Sequence, residues 1–139
     1  MIAKGTYFED IDVNNIRETP AITITETHVS LYLGLTREPS VAAAADVPAV
    51  LPLCMSIGLG WRVKEPPLAV LAFVGLDWQI VREVRVGDTV HGRSRILSKR
   101  PMRDGGFVVD ERSLIDQRGE VVQQGKFTFL VAKRKEVPA

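Results

Sequence analysis

A chain of 139 residues that is 45% hydrophobic and 25% charged has the balance of a globular domain, unlike a disordered tail or a membrane protein. A chain of this size hides roughly two-thirds of its unfolded surface, which sustains one core, so residues 1–139 are expected to form a single domain. Lys and Arg total 18 against 17 Asp and Glu, with the signs mixed along the chain, so the basic excess needed to neutralise phosphates is missing and nucleic acid is not an expected partner.

Cys54 stands alone, which excludes an intramolecular disulfide, and no Cys/His spacing suits structural zinc. No metal or cofactor is expected. Met1 to Gly5 begins no apolar run of signal-peptide length, and Pro, Gly and Arg interrupt every greasy stretch well short of a membrane span. A cytoplasmic protein with no membrane partner is the expectation.

Residues 7–19 read as an irregular lead-in. Ala21 to Thr25 alternates apolar and β-branched residues and predicts a short strand. Thr23 or Thr25 then caps a helix over Glu26 to Leu35, Thr23-x-x-Glu26 having the spacing of a capping box. Val29, Tyr32 and Leu33 are its expected buried stripe. Pro39 disfavours a helical Glu38, which opens a loop reaching to Pro48, and Asp46 is placed to cap the next helix.

Residues 49–61 carry no charge and are apolar on every side, so the helix they predict must be wrapped by the rest of the domain. Pro52 belongs in its first turn, which sets the start near Ala49 to Leu51. Gly58 and Gly60 each cost a helix about 1 kcal/mol relative to Ala, and both read as points of close packing against a sheet.

Strand patterns follow. Leu68 to Leu76 has the near-continuous apolar text of a strand covered on both faces. A turn at Gly87-Asp88 leads into a strand through Ser98, and Asp104-Gly105-Gly106 signals a hairpin into a strand from Phe107 to Ile115. After a turn at Asp116 to Gly119, the last strand sets Val121, Phe127, Phe129 and Val131 on one face and Gln124, Lys126 and Thr128 on the other. The order predicts an antiparallel meander of four strands around one apolar helix.

That arrangement is the hot-dog architecture, an α+β fold with an antiparallel sheet wrapped around one long apolar helix. Three segments resemble the MaoC-like dehydratase family of hot-dog proteins, which includes (R)-specific enoyl-CoA hydratases. They are Tyr7-Phe8-Glu9-Asp10-Ile11 with Ile24-Thr25-Glu26 and the helix after it, then Val84-Arg85-Val86-Gly87-Asp88-Thr89-Val90, then Asp116-Gln117-Arg118-Gly119-Glu120-Val121-Val122. The resemblance implies a homodimer or dimer-based oligomer acting on an acyl-CoA or another acyl thioester. It also implies an Asp and a His, five residues apart, that activate water, and a backbone N–H at the start of the central helix that polarises the thioester carbonyl.

The family text at the dyad resembles Gly-Asp-x-Asn-Pro-x-His. Aligning Gly34-Leu35-Thr36 ahead of it puts Arg37 at the glycine, Glu38 at the aspartate, Ser40 at the asparagine and Ala43 at the histidine. No histidine lies between His28 and His91. The expected site is therefore an altered one, with Glu38 and Ser40 as candidate catalytic residues and Leu51, Leu53, Cys54, Ser56 and Gly58 lining the substrate channel. The Leu51, Leu53 and Cys54 amides are the expected free donors at the helix N-terminus.

Three functions fit these residues. The first is a hydratase or dehydratase with an altered dyad. The second is a non-catalytic hot-dog subunit that binds an acyl group or supports a catalytic partner. The third, a thioesterase, has the least support, because residues 49–61 contain no carboxylate. His28 and His91 read as surface or packing residues, and Cys54 as a small buried hydrophobe. Arg62, Lys64, Lys99, Arg100 and Arg103 suit CoA phosphates chemically but singly read as solvated charges. Trp61 and Trp78 are assigned to the core or a subunit contact.

Overall fold

The computed structural model describes residues 5–39 and 46–134. A 3₁₀ turn, Phe8–Asp10, leads to two short strands, β1 (Ile16–Glu18) and β2 (Ile22–Thr23). Helices α1 (Glu26–Thr36) and α2 (Leu51–Leu59) follow, α2 running into a 3₁₀ turn at Gly60–Arg62. Four long strands complete the chain: β3 (Val70–Ile80), β4 (Thr89–Met102), β5 (Gly105–Ile115) and β6 (Val121–Val131).

Every pairing is antiparallel, and the strand order is β1-β4-β5-β6-β3, with β2 also pairing β4. Only β4, β5 and β6 form a meander. β3 lies beyond β6, at the opposite end of the sheet from the position that a four-strand meander predicts. The lead-in also holds a strand that its text conceals. In β1 the residue turned inward is Arg17, flanked by exposed Ile16 and Glu18, the reverse of the hydrophobic alternation that marks a strand.

Thr25 is the N-cap of α1, and the partner in its capping box is His28. The Thr25 hydroxyl accepts from the His28 amide at 3.3 Å, and His28 Nδ1 accepts from the Thr25 amide at 3.0 Å. An imidazole thus does the work that the expected box assigned to Glu26. The helix ends at Arg37, whose left-handed φ of 63° lets its amide return to the Leu33 carbonyl. Val29 and Tyr32 are buried, and Leu33 is half-buried.

Helix α2 starts at Leu51 with Pro52 in its first turn, as expected, but it is short and one side of it is open. Leu53, Ser56 and Leu59 face the sheet, whereas Cys54 and Gly58 are exposed. The apolar text on every side is therefore not matched by burial on every side. Among the described residues no side chain caps this helix. Its N-cap is Val50, and Asp46, the expected cap, instead pairs through its backbone with Arg85.

The two helical glycines part company. A Cβ on Gly60 would lie 2.7 Å from the Arg112 guanidinium, so close packing there is real. Around Gly58 no atom lies within 4 Å of such a Cβ, which corrects the packing assigned to it. The tightest approach is in the sheet itself. A Cβ on Gly125 would sit 1.9 Å from the Asp77 carbonyl, so only glycine lets β3 lie this close to β6.

The core forms where α2 meets the inner face of the sheet. Phe127 is fully buried, with Phe73, Trp78 and Phe129 at ring-centroid distances of 5.3, 5.5 and 6.0 Å. Leu53, Ile96, Val108 and Val131 close around them. Strand β3 is the exception among the long strands. Leu71, Phe73, Val74, Leu76 and Ile80 are exposed, so the cover expected on both faces is not supplied within one chain.

Candidate functional site

Helices α1 and α2 meet over an apolar groove of about 420 Å³. Ile22, Leu31, Leu35, Leu51 and Met55 form most of its wall, and among the described residues Cys54, His28 and Tyr32 bring the reactive or titratable groups to it. The left-handed cap at Arg37 turns the chain back over α1, and the Tyr32 hydroxyl donates to Glu38 Oε1 at 2.9 Å. Burial, then the bond to Glu38, pushes the Tyr32 phenol up to about 12. In the pair the phenol is the donor and a Glu38 carboxyl oxygen the acceptor.

His28 and Tyr32 stand four residues apart and so share one face of α1. The Nδ1 of His28 is occupied by the Thr25 amide, which places the proton of the neutral ring on Nε2. Sequence reasoning set His28 aside as a surface or packing residue. Its signal was available, since the i, i+4 spacing to Tyr32 sets both on one side of a predicted helix. The direction of that side was not.

The candidate residues divide. Leu51 and Cys54 line the groove, and Glu38 borders it through Tyr32. Leu53 is buried in the main core, and Ser56 is fully buried beneath α2, with its carbonyl accepting from Arg112. Gly58 is exposed and lines no part of the groove. Ser40 and Ala43 lie outside the described residues. Cys54 is exposed, not the buried hydrophobe expected of it.

Two of the three amides expected to be free at the α2 N-terminus are occupied. Leu51 donates to the Pro48 carbonyl and Cys54 to that of Val50, which leaves Leu53 as the one of the three without a partner among the described residues. Among the basic residues, Lys99 donates to the Phe8 carbonyl and sits over the Phe8 ring, and Arg100 lies over Phe107. Arg62, Lys64 and Arg103 are exposed. Trp61 is exposed, and the Trp78 indole N–H donates to Gln123. Among the described residues no three His, Cys, Asp or Glu side chains come together as a metal site requires, and no helix is long and apolar enough to cross a membrane.

No family model matches the chain, and no curated protein matches its sequence. Solved structures do match. A monoamine oxidase regulatory protein from Archaeoglobus superposes with a TM-score of 0.84 at 23% identity, covering 97% of this chain and 100% of that one. A MaoC-like dehydratase from Rhodospirillum rubrum gives 0.80 at 20% identity, covering 95% and 100%. An (R)-hydratase from Pseudomonas aeruginosa gives 0.75 at 15%, covering 97% and 95%. A double hot-dog protein from Mycobacterium tuberculosis also matches, with this chain covering 46% of its length. At these identities the likeness establishes architecture: the chain has the α+β hot-dog fold of the MaoC-like dehydratases and (R)-hydratases, with its antiparallel sheet curled around the short helix α2.

Proposed function

We propose that this chain is a MaoC-like acyl-thioester protein of the hydratase/dehydratase type, with its acyl group in the groove between α1 and α2 and an altered acid/base pair at the mouth. The observation that carries the reading is the Tyr32–Glu38 hydrogen bond at 2.9 Å on the border of that groove. Glu38 stands where the resemblance puts the family's aspartate, and here its neighbour is a phenol. A carboxylate and a protonated hydroxyl are the two states that addition of water to an enoyl thioester needs, one to take a proton and one to give it. A phenol held near 12 gives up its proton reluctantly, so hydration is expected to be slow.

The partner is another copy of the chain. The exposed apolar side chains of β3, an edge strand, support a homodimer, since an uncovered strand of this kind is an aggregation hazard. A cytoplasmic location belongs to the same reading.

Two measurements on the purified protein test it. Calorimetry with crotonyl-CoA and hexanoyl-CoA reads binding, and the absorbance of the enoyl thioester reads hydration. Binding accompanied by hydration that falls roughly 10²-fold or more in Glu38→Ala supports the enzyme reading. Binding without hydration supports the second reading, a non-catalytic acyl-binding subunit, which the absence of histidine from 29–90 favours. Failure of either thioester to bind defeats both.

A further inference from the structure

At the far end of α2 from the groove, the inner face of the sheet buries charge. Arg112 and Asp110 pair at 2.8 Å with side chains only 9% and 3% exposed. Arg112 also donates to the Ser56 carbonyl at 3.0 Å and stacks over Phe127 at 4.4 Å. Arg17 reaches in from β1, held by the Pro66 carbonyl at 2.8 Å and the Thr6 hydroxyl at 3.2 Å. Asp110 is ion-paired with Arg112 alone, and its charge acts on Arg17 without a direct bond. The carboxylate acting most on Arg17 is Glu65, which is exposed, and Asp110 acts on it less.

This cluster is incompletely bonded. Arg17 Nε, Arg112 Nε, Asp110 Oδ1 and Ser56 Oγ are all buried, and none has a hydrogen-bond partner among the described residues. Each such group carries a desolvation penalty that a natural core rarely leaves in place without a reason. Burial raises the Asp110 carboxyl above its ordinary value despite both arginines, which weakens its hold as their counter-ion.

Two cavities adjoin the cluster and share Gly60, Leu68 and Arg112 in their walls. One is small, about 30 Å³, and is bounded by Arg17, Asp110 and Arg112. The other, about 240 Å³, is apolar, with Ile57, Trp61, Val70, Phe73 and Phe129 around it. Gly60 permits the junction, because any side chain there would collide with the Arg112 guanidinium.

We propose that this pair of cavities is a binding site for a small apolar carboxylic acid, its hydrocarbon in the larger chamber and its carboxylate beside Arg112 and Arg17. A bare inorganic anion would leave the apolar chamber unused, and a neutral hydrocarbon would leave the buried, unbonded Nε–H donors of Arg17 and Arg112 unanswered. An acid with a short alkyl or aryl group answers both. The chamber is small by the standard of ligand pockets, which excludes a long chain. The site is separate from the thioester groove, with which it shares none of its lining residues.

The test uses the full chain with hexanoate, hexanamide and sodium formate as probes. Binding is read by calorimetry and by the fluorescence of Trp61, which lines the chamber. Hexanoate is expected to bind at least ~10-fold more tightly than hexanamide, the loss expected when a charge-assisted hydrogen bond is removed. It should also outbind formate, and Leu68→Phe, which fills the junction without touching the ion pair, should abolish its binding. Arg112→Leu alone risks unfolding by stranding Asp110, so the charge is tested in the double replacement Asp110→Leu with Arg112→Leu, which leaves Arg17 alone beside the carboxylate and should shrink the preference for hexanoate over hexanamide. Equal affinity of the wild-type chain for hexanoate and hexanamide, or no hexanoate binding at millimolar concentration, would overturn the proposal. So would undiminished binding by Leu68→Phe. Hexanoyl-CoA binding is unaffected by either result, so this site and the thioester reading stand or fall apart.

Discussion

Replacing Ser56 by alanine should stabilise the protein. Ser56 is fully buried on the inner side of α2, and its Oγ has no hydrogen-bond partner among the described residues. A hydroxyl withdrawn from water without a partner costs about 1–3 kcal/mol, and alanine also gains a few tenths of a kcal/mol in helix propensity. Against this stands a void the size of one oxygen, too small to admit water, which forfeits a fraction of a kcal/mol of dispersion. The net gain is about 1–2 kcal/mol, equivalent to about 3–7 °C in Tm for a domain of this size. The Ser56 carbonyl accepts from the Arg112 guanidinium and from the Gly60 amide, and both bonds survive a change of the Ser56 side chain. Thermal unfolding followed by circular dichroism at pH 7, scanned at two rates to establish reversibility, measures the shift. A Tm lower than wild type by a few degrees would show that the hydroxyl is bonded in solution and that the reasoning is wrong.

Other expectations follow from single contacts. Phe127→Ala removes the ring at the centre of the aromatic cluster and should cost about 3–5 kcal/mol, read as a lower midpoint in urea denaturation. Asp88 accepts from the Arg85 amide and from Gln117, both at 2.9 Å; burial opposes its ionisation, but those bonds prevail and hold its carboxyl below the usual value. A depressed carboxylate stabilises above its unfolded pKa and loses that contribution as pH falls through its folded one. The Tm deficit of Asp88→Asn should therefore be full at pH 7 and shrink below about pH 4; a deficit that is constant from pH 3 to 7 would contradict this. If the proposed homodimer forms through β3, Leu76→Lys should convert it to monomer in sedimentation equilibrium, and an unchanged dimer would place the interface elsewhere.

What the sequence by itself determined was every element whose signal is periodic and local. The uncharged run with Pro52 in the first turn located α2, and the glycine-bearing turns located the β4–β5 and β5–β6 hairpins, because burial patterns and turn geometry are written within a few residues. β1 escaped because its buried residue is an arginine, stabilised by the Pro66 carbonyl and the Thr6 hydroxyl, contacts that no local pattern encodes. The place of β3 beyond β6 depends on Gly125 meeting Asp77 across 48 residues, which is a property of the assembled sheet. The candidate site was legible as a chemical identity at Glu38 and as a motif lacking its histidine. That Tyr32 reaches Glu38, that His28 shares their groove, and that Ser56 points into the core while Cys54 points out depend on how α1 and α2 are rotated about their axes. That rotation is set by side chains from both helices and the sheet packing against one another, and only the tertiary structure decides it.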